Sequence, residues 1–351
     1  MKQPQDPDSL REPTTPVFAF EQRSVDSLPI RSATPAVLDR DRVATHIADA
    51  RARGRYKGPI DVDAYLYQKQ CVVQEGDAVY PTLAGVLCFG HDPQVVVPIA
   101  MVDLGHYRGT VTVSYEVTHL EKGIDGTIFE QLTRVETYLW NNIHHGMTLA
   151  PTSLQRVEEH EYPQVVIREL LVNLLAHRDY AQAAAAARVM LFRDRIEWVS
   201  PGGLPPGITI ENLLDEQAPR NPIILSILYE AGFMEGFGQG LNTVVEVLKR
   251  EQLPAPIFRD TGTSFIVTVY GRPRSQDPQA RQYAQLSDTQ RQILTFVRSQ
   301  GEASPAAIRQ LVGERARRSI QRDIQGLVEA RLITAVGEGR ALRYYPAGGT
   351  E

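Results

Sequence analysis

The sequence predicts an α+β fold, a mixed sheet with helices packed on one face, followed by a smaller helical domain that closes on a hairpin. Three observations carry this. At 351 residues the chain exceeds the roughly 250 to 300 at which a single hydrophobic core stops growing, so more than one domain is expected. Strand-period and helix-period segments alternate as far as residue 270 and then give way to 271–286, which is polar, holds two prolines and has no periodicity. Beyond that linker, residues 287–346 hold ten arginines against six acids, a net of +4 on a chain whose formal charge is −5.

The composition, 42% hydrophobic and 23% charged, describes a globular chain able to bury a core. No apolar run reaches the 18 or so residues that a spanning helix needs, and the amino terminus lacks the apolar segment of a signal peptide. A cytoplasmic protein with no membrane partner is expected. Cys71 and Cys88 stand alone, without a CxxC or paired histidines, and read as buried core thiols rather than a zinc site or a disulfide framework.

Four prolines among the first sixteen residues predict a flexible tail over 1–20. An α/β segment is expected over 21–120. There Val43, Ile47 and Ala50 pattern a short helix ending near Gly54, and Asp61 caps another that holds Tyr65 and Leu66. VVVPIAMVD from Val95 reads as a strand despite Pro98, and Val111, Val113, Tyr115 and Val117 alternate with polar residues as a second strand with one wet face. A larger domain is expected over 121–270. It opens with Ile128, Leu132, Val135, Leu139 and Ile143, whose spacings predict an amphipathic helix over 126–144, with His144 and His145 at its end as surface or satisfied residues. Pro163 suits a first helical turn, and the VVIRELLVNLLAH that follows is apolar nearly all round. VMLFRDRIEWVS predicts two strands about a turn at Arg193 and Asp194, Asn221-Pro222 starts a helix that Gly232 ends, Leu241, Val244, Val245 and Leu248 pattern another, and FIVTV at 265–269 is a closing strand.

In the terminal region, Ser287 caps one helix, Ser304-Pro305 starts a second, and Ile320, Ile324, Leu327 and Val328 pattern a third, before a hairpin turning at Gly337–Gly339. This order resembles a winged helix-turn-helix of the DeoR-like or MarR-like kind. The resemblance implies double-stranded DNA as partner. The apolar stripe of the third helix turns Arg317, Arg318, Gln321, Arg322 and Gln325 outward, toward phosphates and base edges, while Arg340 and Arg343 on the hairpin reach an adjacent backbone. One such module covers one half-site, so a homodimer is expected. The plain alternative is a solvated basic helix that contacts an acidic protein.

Within IRELLVNLLAHRDY, Glu169, Asn173 and His177 fall at i, i+4 and i+8 and form one polar stripe on an otherwise apolar helix. An Asn carbonyl can hold Mg²⁺ and a Glu one turn earlier can orient or deprotonate water, while the glycine loops SPGGLPPG and GFGQG let backbone N–H groups approach an anion. The ordered set of this helix, a strand ending in a glycine turn, a lid-like stretch and GFGQGLNTVVEVL resembles the Bergerat fold of GHKL ATPases. More narrowly, RELLVNLLAHRDY, DRIEWVSPGGLPPGITIENLL, PRNPIILSILYEAGFMEGFGQGL and GTSFIVTV look like the GHKL-like domain of bacterial Schlafen/AlbA-associated transcriptional regulators, a family also labelled as resembling the carboxyl terminus of the RecG helicase. With YPTLAGVLCFGHDP, which looks like the segment after the AlbA-type domain, the resemblance covers roughly residues 60 to 346, and a leading AlbA-type domain is not expected.

That resemblance implies ATP or another nucleotide, with Mg²⁺, as cofactor. Asn173 would be the metal ligand, Glu169 the catalytic, water-orienting carboxylate, Gly202 and Gly203 the nucleotide-side turn, and Gly236, Gly238 and Gly240 the phosphate loop. GHKL ATPases generally carry an Asp that contacts the adenine amino group, and Ser200 stands at the corresponding place. Phosphate contacts should therefore dominate, and ATP and GTP should bind alike. The bland alternative has Glu169 and Asn173 bonding neighbouring backbone in a ligand-free relic.

Other motifs fail on context. His177, Arg178 and Asp179 spell the HRD of a kinase loop, but Ala184 stands where that loop needs Asn, so a capped helix end is expected. No GxxxxGK[ST] occurs, which excludes a P-loop motor, and GFGQGL follows a helix and lacks the third glycine of a dinucleotide fingerprint. Three functions remain: a DNA-binding regulator with a nucleotide-sensing domain, a slow Mg²⁺-dependent ATPase working with DNA, and an interaction scaffold on a degenerate ATPase fold.

Overall fold

The computed structural model describes residues 24–112, 116–149, 156–182, 185–216, 218–234, 240–272, 286–313 and 317–347. The expected tail over 1–20, most of the 271–286 linker, Ala184, Gly236 and Gly238 lie outside them, as do the side chains of Arg317 and Arg340.

Aspartates start the first two helices. In α1 (Arg40–Ala52) the Asp39 carboxylate accepts the Arg42 N–H, and in α2 (Val62–Gln68) Asp61 accepts that of Ala64, each satisfying an orphan donor of the first turn. A small hairpin of β1 (Val72–Glu75) and β2 (Ala78–Pro81) leads into α3 (Leu83–Phe89), buried along its whole length and capped by Thr82. Both cysteines are free and buried in this region.

The expected strand at Val95 is a short helical turn instead, α4 (Pro93–Val96), and the strand β3 begins only at Val102 and runs to Tyr107. Asp92-Pro93 is a helix-start signal that the apolar run obscured, and the Gln94 side chain holds the turn by donating to Ala100 O and Gly126 O. Of the alternating segment at 111–117, residues 113–115 lie outside the described residues, 111, 112 and 116 are not in a strand, and β4 spans Val117–Ile124 in antiparallel register with β3.

The amphipathic helix α5 (Ile128–Asn142) carries a capping box between Thr127 and Glu130. Its cap is Ile143, and His145 begins the hairpin β5 (His145–Leu149) and β6 (Arg156–His160) rather than ending the helix. His145 and His160 are exposed to different degrees but bonded, Nδ1 to Nδ1 at 2.8 Å. There follow α6 (Gln164–Ala176), β7 (Ala187–Leu191), β8 (Arg195–Pro201), α7 (Pro222–Ala231), α8 (Gly240–Arg250), β9 (Ile257–Asp260) and β10 (Ser264–Tyr270).

A six-stranded mixed sheet has the order β4-β3-β7-β8-β10-β9, with β3 and β7 parallel and every other pair antiparallel. Ile196, Trp198 and Ser200 of β8 stand opposite Val269, Val267 and Phe265 of β10, so these six share the face that α6 packs against. Trp198 is 1% exposed, and its truncation to Ala would cost about 3–5 kcal/mol. One continuous core runs from Leu38 to Val269.

Two polar joints organise the helices. Glu230 of α7 is buried and accepts from Tyr65 OH at 2.9 Å and His46 Nε2 at 3.2 Å, and it pairs with the Lys69 ammonium, tying α7 to α1 and α2. Asn221, before α7, spends its amide on Ala176 O and Arg178 O at the end of α6, so it makes no side-chain cap; Asp26 takes that role, accepting the N–H groups of Ile223 at 2.8 Å and Ile224 at 3.0 Å.

The C-terminal part is α9 (Asp288–Gln300), α10 (Pro305–Val312), α11 (Arg317–Glu329) and a hairpin of β11 (Ile333–Val336) and β12 (Arg343–Pro346), around a second core. A 3₁₀ turn at Gly339–Ala341 lengthens the hairpin connection beyond the expected glycines. Tyr270 of the sheet joins this core and bonds Thr295 at 2.8 Å. Asp194, in the β7–β8 turn, is gripped by Arg195 at 2.9 Å and by Arg298 of α9 at 2.7 Å.

Candidate functional site

Helix α6 sets the axis of the site. Eight residues at 1.5 Å each separate Glu169 from His177, so the polar stripe spans about 12 Å. All three of its members line one cavity of about 460 Å³. At the Glu169 end the cavity meets the first residue of α8: a Cβ on Gly240 would stand 2.8 Å from Glu169 Oε2 and 3.1 Å from Asn173 Nδ2. Glycine therefore lets the amino-terminal part of α8 approach the two polar side chains closely. Asn173 Nδ2 is buried without a hydrogen-bond partner, a donor that an acceptor in the cavity would satisfy.

The far end is built by the strand end of β8. Ser200 donates its hydroxyl proton to Leu174 O at 3.1 Å, which leaves its oxygen only acceptor lone pairs. Gly202 adopts φ +100°, and a Cβ there would run into the Arg220 guanidinium and the Asp179 side chain. At Gly203 a Cβ would meet Gly262 O at 2.7 Å and Asp260 Oδ1 at 2.9 Å. The two glycines expected for close ligand approach are thus also demanded by packing within the protein. Arg220 sits 3.1 Å from Asp179 Oδ2 and donates to Gly203 O at 2.6 Å. Burial, with the Arg220 charge adding to it, pushes the His177 pKa down to about 4, so the imidazole is neutral at pH 7.

Between these ends the walls are apolar. Trp198, Phe265 and Val267 form the sheet side, and Leu204, Ile208 and Leu214 come from the stretch that follows the glycine turn. Asn242 of α8 donates to Leu214 O at 2.9 Å and so pins that stretch across the cavity. Arg55, just after α1, donates to Tyr229 O at 3.1 Å and to Met234 O, holding the chain at the approach to the second glycine loop. The HRD triplet is structural: Arg178 is fully buried, where it donates to Met101 O at 3.0 Å and Ala185 O at 3.1 Å.

Among the described residues no group of three or more His, Cys, Asp or Glu is placed to hold a metal. Mg²⁺ fits the site only as an ion shared with a ligand's phosphates, because the Glu169 carboxylate and the Asn173 carbonyl offer the oxygen donors it prefers but too few to encage it.

On α11, Ile320, Ile324 and Leu327 are buried, and Arg318, Gln321, Arg322 and Gln325 are exposed. Gln325 donates to Glu329 at 3.0 Å. Arg343 is half-buried and donates to Leu342 O at 2.9 Å, so part of its guanidinium is engaged on its own hairpin.

Six of the residues singled out from sequence, Glu169, Asn173, Ser200, Gly202, Gly203 and Gly240, line this one cavity together, and Gly236 and Gly238 fall outside the described residues. Arg220, His177 as a neutral group and the Asn242 pin were not assigned roles from sequence. The only local signal for Arg220 was its place beside the Asn221-Pro222 helix start.

An ATPase-like domain is present in this chain. Residues 185–269, less than half of it, match the family model described as "Putative ATP-dependent DNA helicase recG C-terminal". The matched interval contains Ser200, Gly202, Gly203 and Gly240 and stops short of α6 with Glu169 and Asn173. The crystal structure of the DIP2311 protein from Corynebacterium diphtheriae shares the fold, with a TM-score of 0.57 at 16% identity over 94% of this chain. This chain spans 65% of the length of that protein. No curated protein sequence matches the chain. No helix among the described residues is long and apolar enough to cross a membrane.

Proposed function

We propose that the chain is a DNA-binding transcriptional regulator in which a GHKL-like domain over 121–270 senses a nucleotide with Mg²⁺ and a winged helix-turn-helix over 287–346 binds duplex DNA as a homodimer. The observation that carries this reading is the convergence of Glu169, Asn173 and Gly240 at one end of an apolar cavity whose other end is the glycine turn after β8. Phosphates lie against the amino end of α8, where N–H groups and the helix dipole favour an anion; Asn173 donates or ligates there, and Glu169 faces the same end. The ring of the base lies among Trp198, Phe265 and the residues of the overlying stretch. The exposed arginines of α11 neutralise DNA phosphates, and the Asp194–Arg298 contact links the two parts physically.

Thermal melting of the full chain against a nucleotide panel, with and without Mg²⁺, tests the reading. A ligand that binds only the folded state raises the midpoint, by the equivalent of about 2.7 kcal/mol at one hundred times its Kd. The expected result is a Mg²⁺-dependent rise that Asn173→Ala removes. No rise with any nucleotide at millimolar concentration would reject it. Because Glu169 stands beside the phosphate end, the hydrolytic alternative is measured in parallel: steady phosphate release that Glu169→Gln abolishes while binding persists would make the chain an ATPase.

A further inference from the structure

Which base the cavity accepts depends on its polar lining beyond Glu169 and Asn173, which includes Ser200, His177 and Arg220 and, on the overlying stretch, the exposed Glu216. Ser200 has committed its proton to Leu174 O and offers only lone pairs. His177 is neutral. Arg220 brings a permanent charge and nothing but N–H donors, in a rigid planar fork. Its side chain is largely buried, at 18% exposure, and is fixed by Asp179 at 3.1 Å and Gly203 O at 2.6 Å, contacts that leave part of its five-donor fork available. The absence of a Cβ at Gly202 is what gives the guanidinium this place.

A guanidinium fork discriminates purines sharply. Guanine and hypoxanthine present two adjacent acceptors, O6 and N7, that a fork can engage together, whereas adenine presents N7 beside an amino donor, which opposes the fork donor against donor. The penalty is larger inside an apolar wall, where an opposed donor cannot turn to water. His177, whose pKa the Arg220 charge helps to lower, lies two turns of α6, about 12 Å, from Glu169.

We propose that Arg220 is a specificity-determining residue that makes this cavity selective for 6-oxopurine nucleotides such as GTP and ITP over ATP, an inference that rests on the nucleotide reading of the site. It replaces the expectation, drawn from Ser200 alone, that ATP and GTP bind alike.

Calorimetric titration of the full chain with GTP, ITP and ATP, each with Mg²⁺, tests it. GTP and ITP are expected to bind about tenfold tighter than ATP, within the range that one bidentate Arg–base contact supplies. ITP should match GTP, because the 6-oxo group and not the 2-amino group carries the preference. Arg220→Gln should abolish the preference, so that GTP, ITP and ATP bind alike, and Arg220→Lys, which keeps the charge without the fork, should lose most of it. ATP binding as tightly as ITP to the unaltered protein overturns the proposal and leaves nucleotide binding standing, as does a preference that survives Arg220→Gln. If Arg220→Gln does not fold, the ITP and ATP comparison on the unaltered protein decides alone, since those two ligands differ at the purine 6-position. Binding of none of the three rejects this proposal together with the nucleotide reading.

Discussion

Gly240→Ala separates the chemistry of the cavity from the stability of the fold. Gly240 is not among the glycines with positive φ, so an alanine suffers no backbone strain, and as the first residue of α8 it gains helix propensity worth up to about 1 kcal/mol. Against this, the new Cβ would lie 2.8 Å from Glu169 Oε2 and 3.1 Å from Asn173 Nδ2. Ordinary van der Waals separation is about 3.5 Å, so the carboxylate must retreat by roughly half an ångström or more. It is the far end of a flexible side chain rather than backbone, so the retreat costs the fold less than a backbone clash would. The two terms offset, and the ligand-free melting midpoint should move by no more than about 4 °C. The ligand fares differently, because the methyl group occupies the gap through which the amino end of α8 reaches a phosphate and displaces both polar partners. A tenfold loss of affinity removes about 1.4 kcal/mol of ligand-induced stabilisation. The assay is differential scanning fluorimetry with and without Mg²⁺–nucleotide. A full ligand-induced shift in Gly240→Ala would refute the placement of phosphates at this end, and a large fall in the ligand-free midpoint would show that the gap is a packing necessity.

Replacing both Arg318 and Arg322 by Ala should weaken duplex DNA binding at every salt concentration and reduce the slope of log K against log salt by up to about 2, read by fluorescence anisotropy; an unchanged slope would remove α11 from the DNA contact. His177 titrates near 4 when folded and near 6.5 when unfolded, so the folded state binds fewer protons between those values. Stability should therefore fall as pH drops from about 6.5 to about 4, by an amount on the order of 2 kcal/mol that His177→Gln removes, and parallel melts of the two proteins over that window check it. Glu230→Gln leaves the Lys69 ammonium without its opposing charge and should cost about 3–5 kcal/mol by denaturant titration; a loss under 1 kcal/mol would mean that the joint between α1, α2 and α7 is held by apolar contacts instead.

The sequence was most legible where one period ran against a uniform background. Glu169, Asn173 and His177 stood out because their helix is otherwise apolar, and the helical repeat alone puts them in line along the cavity. The strands β7, β8 and β10 were readable for the same reason. Around residue 95 the apolar run outweighed Asp92-Pro93, although the start signal and the Gln94 hydrogen bonds decide the local structure. At 111–117 alternation indicated extended chain, but where pairing begins is set by the register with β3, a long-range quantity that no local window contains. Gly202 and Gly203 were legible as glycines that had to be there, but the reason was not: the space their missing Cβ atoms leave is claimed by Arg220, Asp260 and Gly262, from distant parts of the chain. Arg220 was silent for that reason, because nothing local pairs a cation with a carbonyl 17 positions away.

The capping of α7 by Asp26 has a kinetic consequence. The two hydrogen bonds join positions 197 and 198 residues apart, so the first turn of α7 is satisfied only after most of the intervening chain has collapsed. During synthesis residue 26 emerges long before its helix exists and must wait for it. Unfolding starts under the opposite constraint: release of the short segment around Asp26 exposes two buried N–H groups of α7 while the sheet is still intact. Protease nicking between residues 30 and 40 would therefore loosen α7, and with it the wall of the cavity that Ser226 and Tyr229 form, although the cut lies far from the glycine loops in sequence.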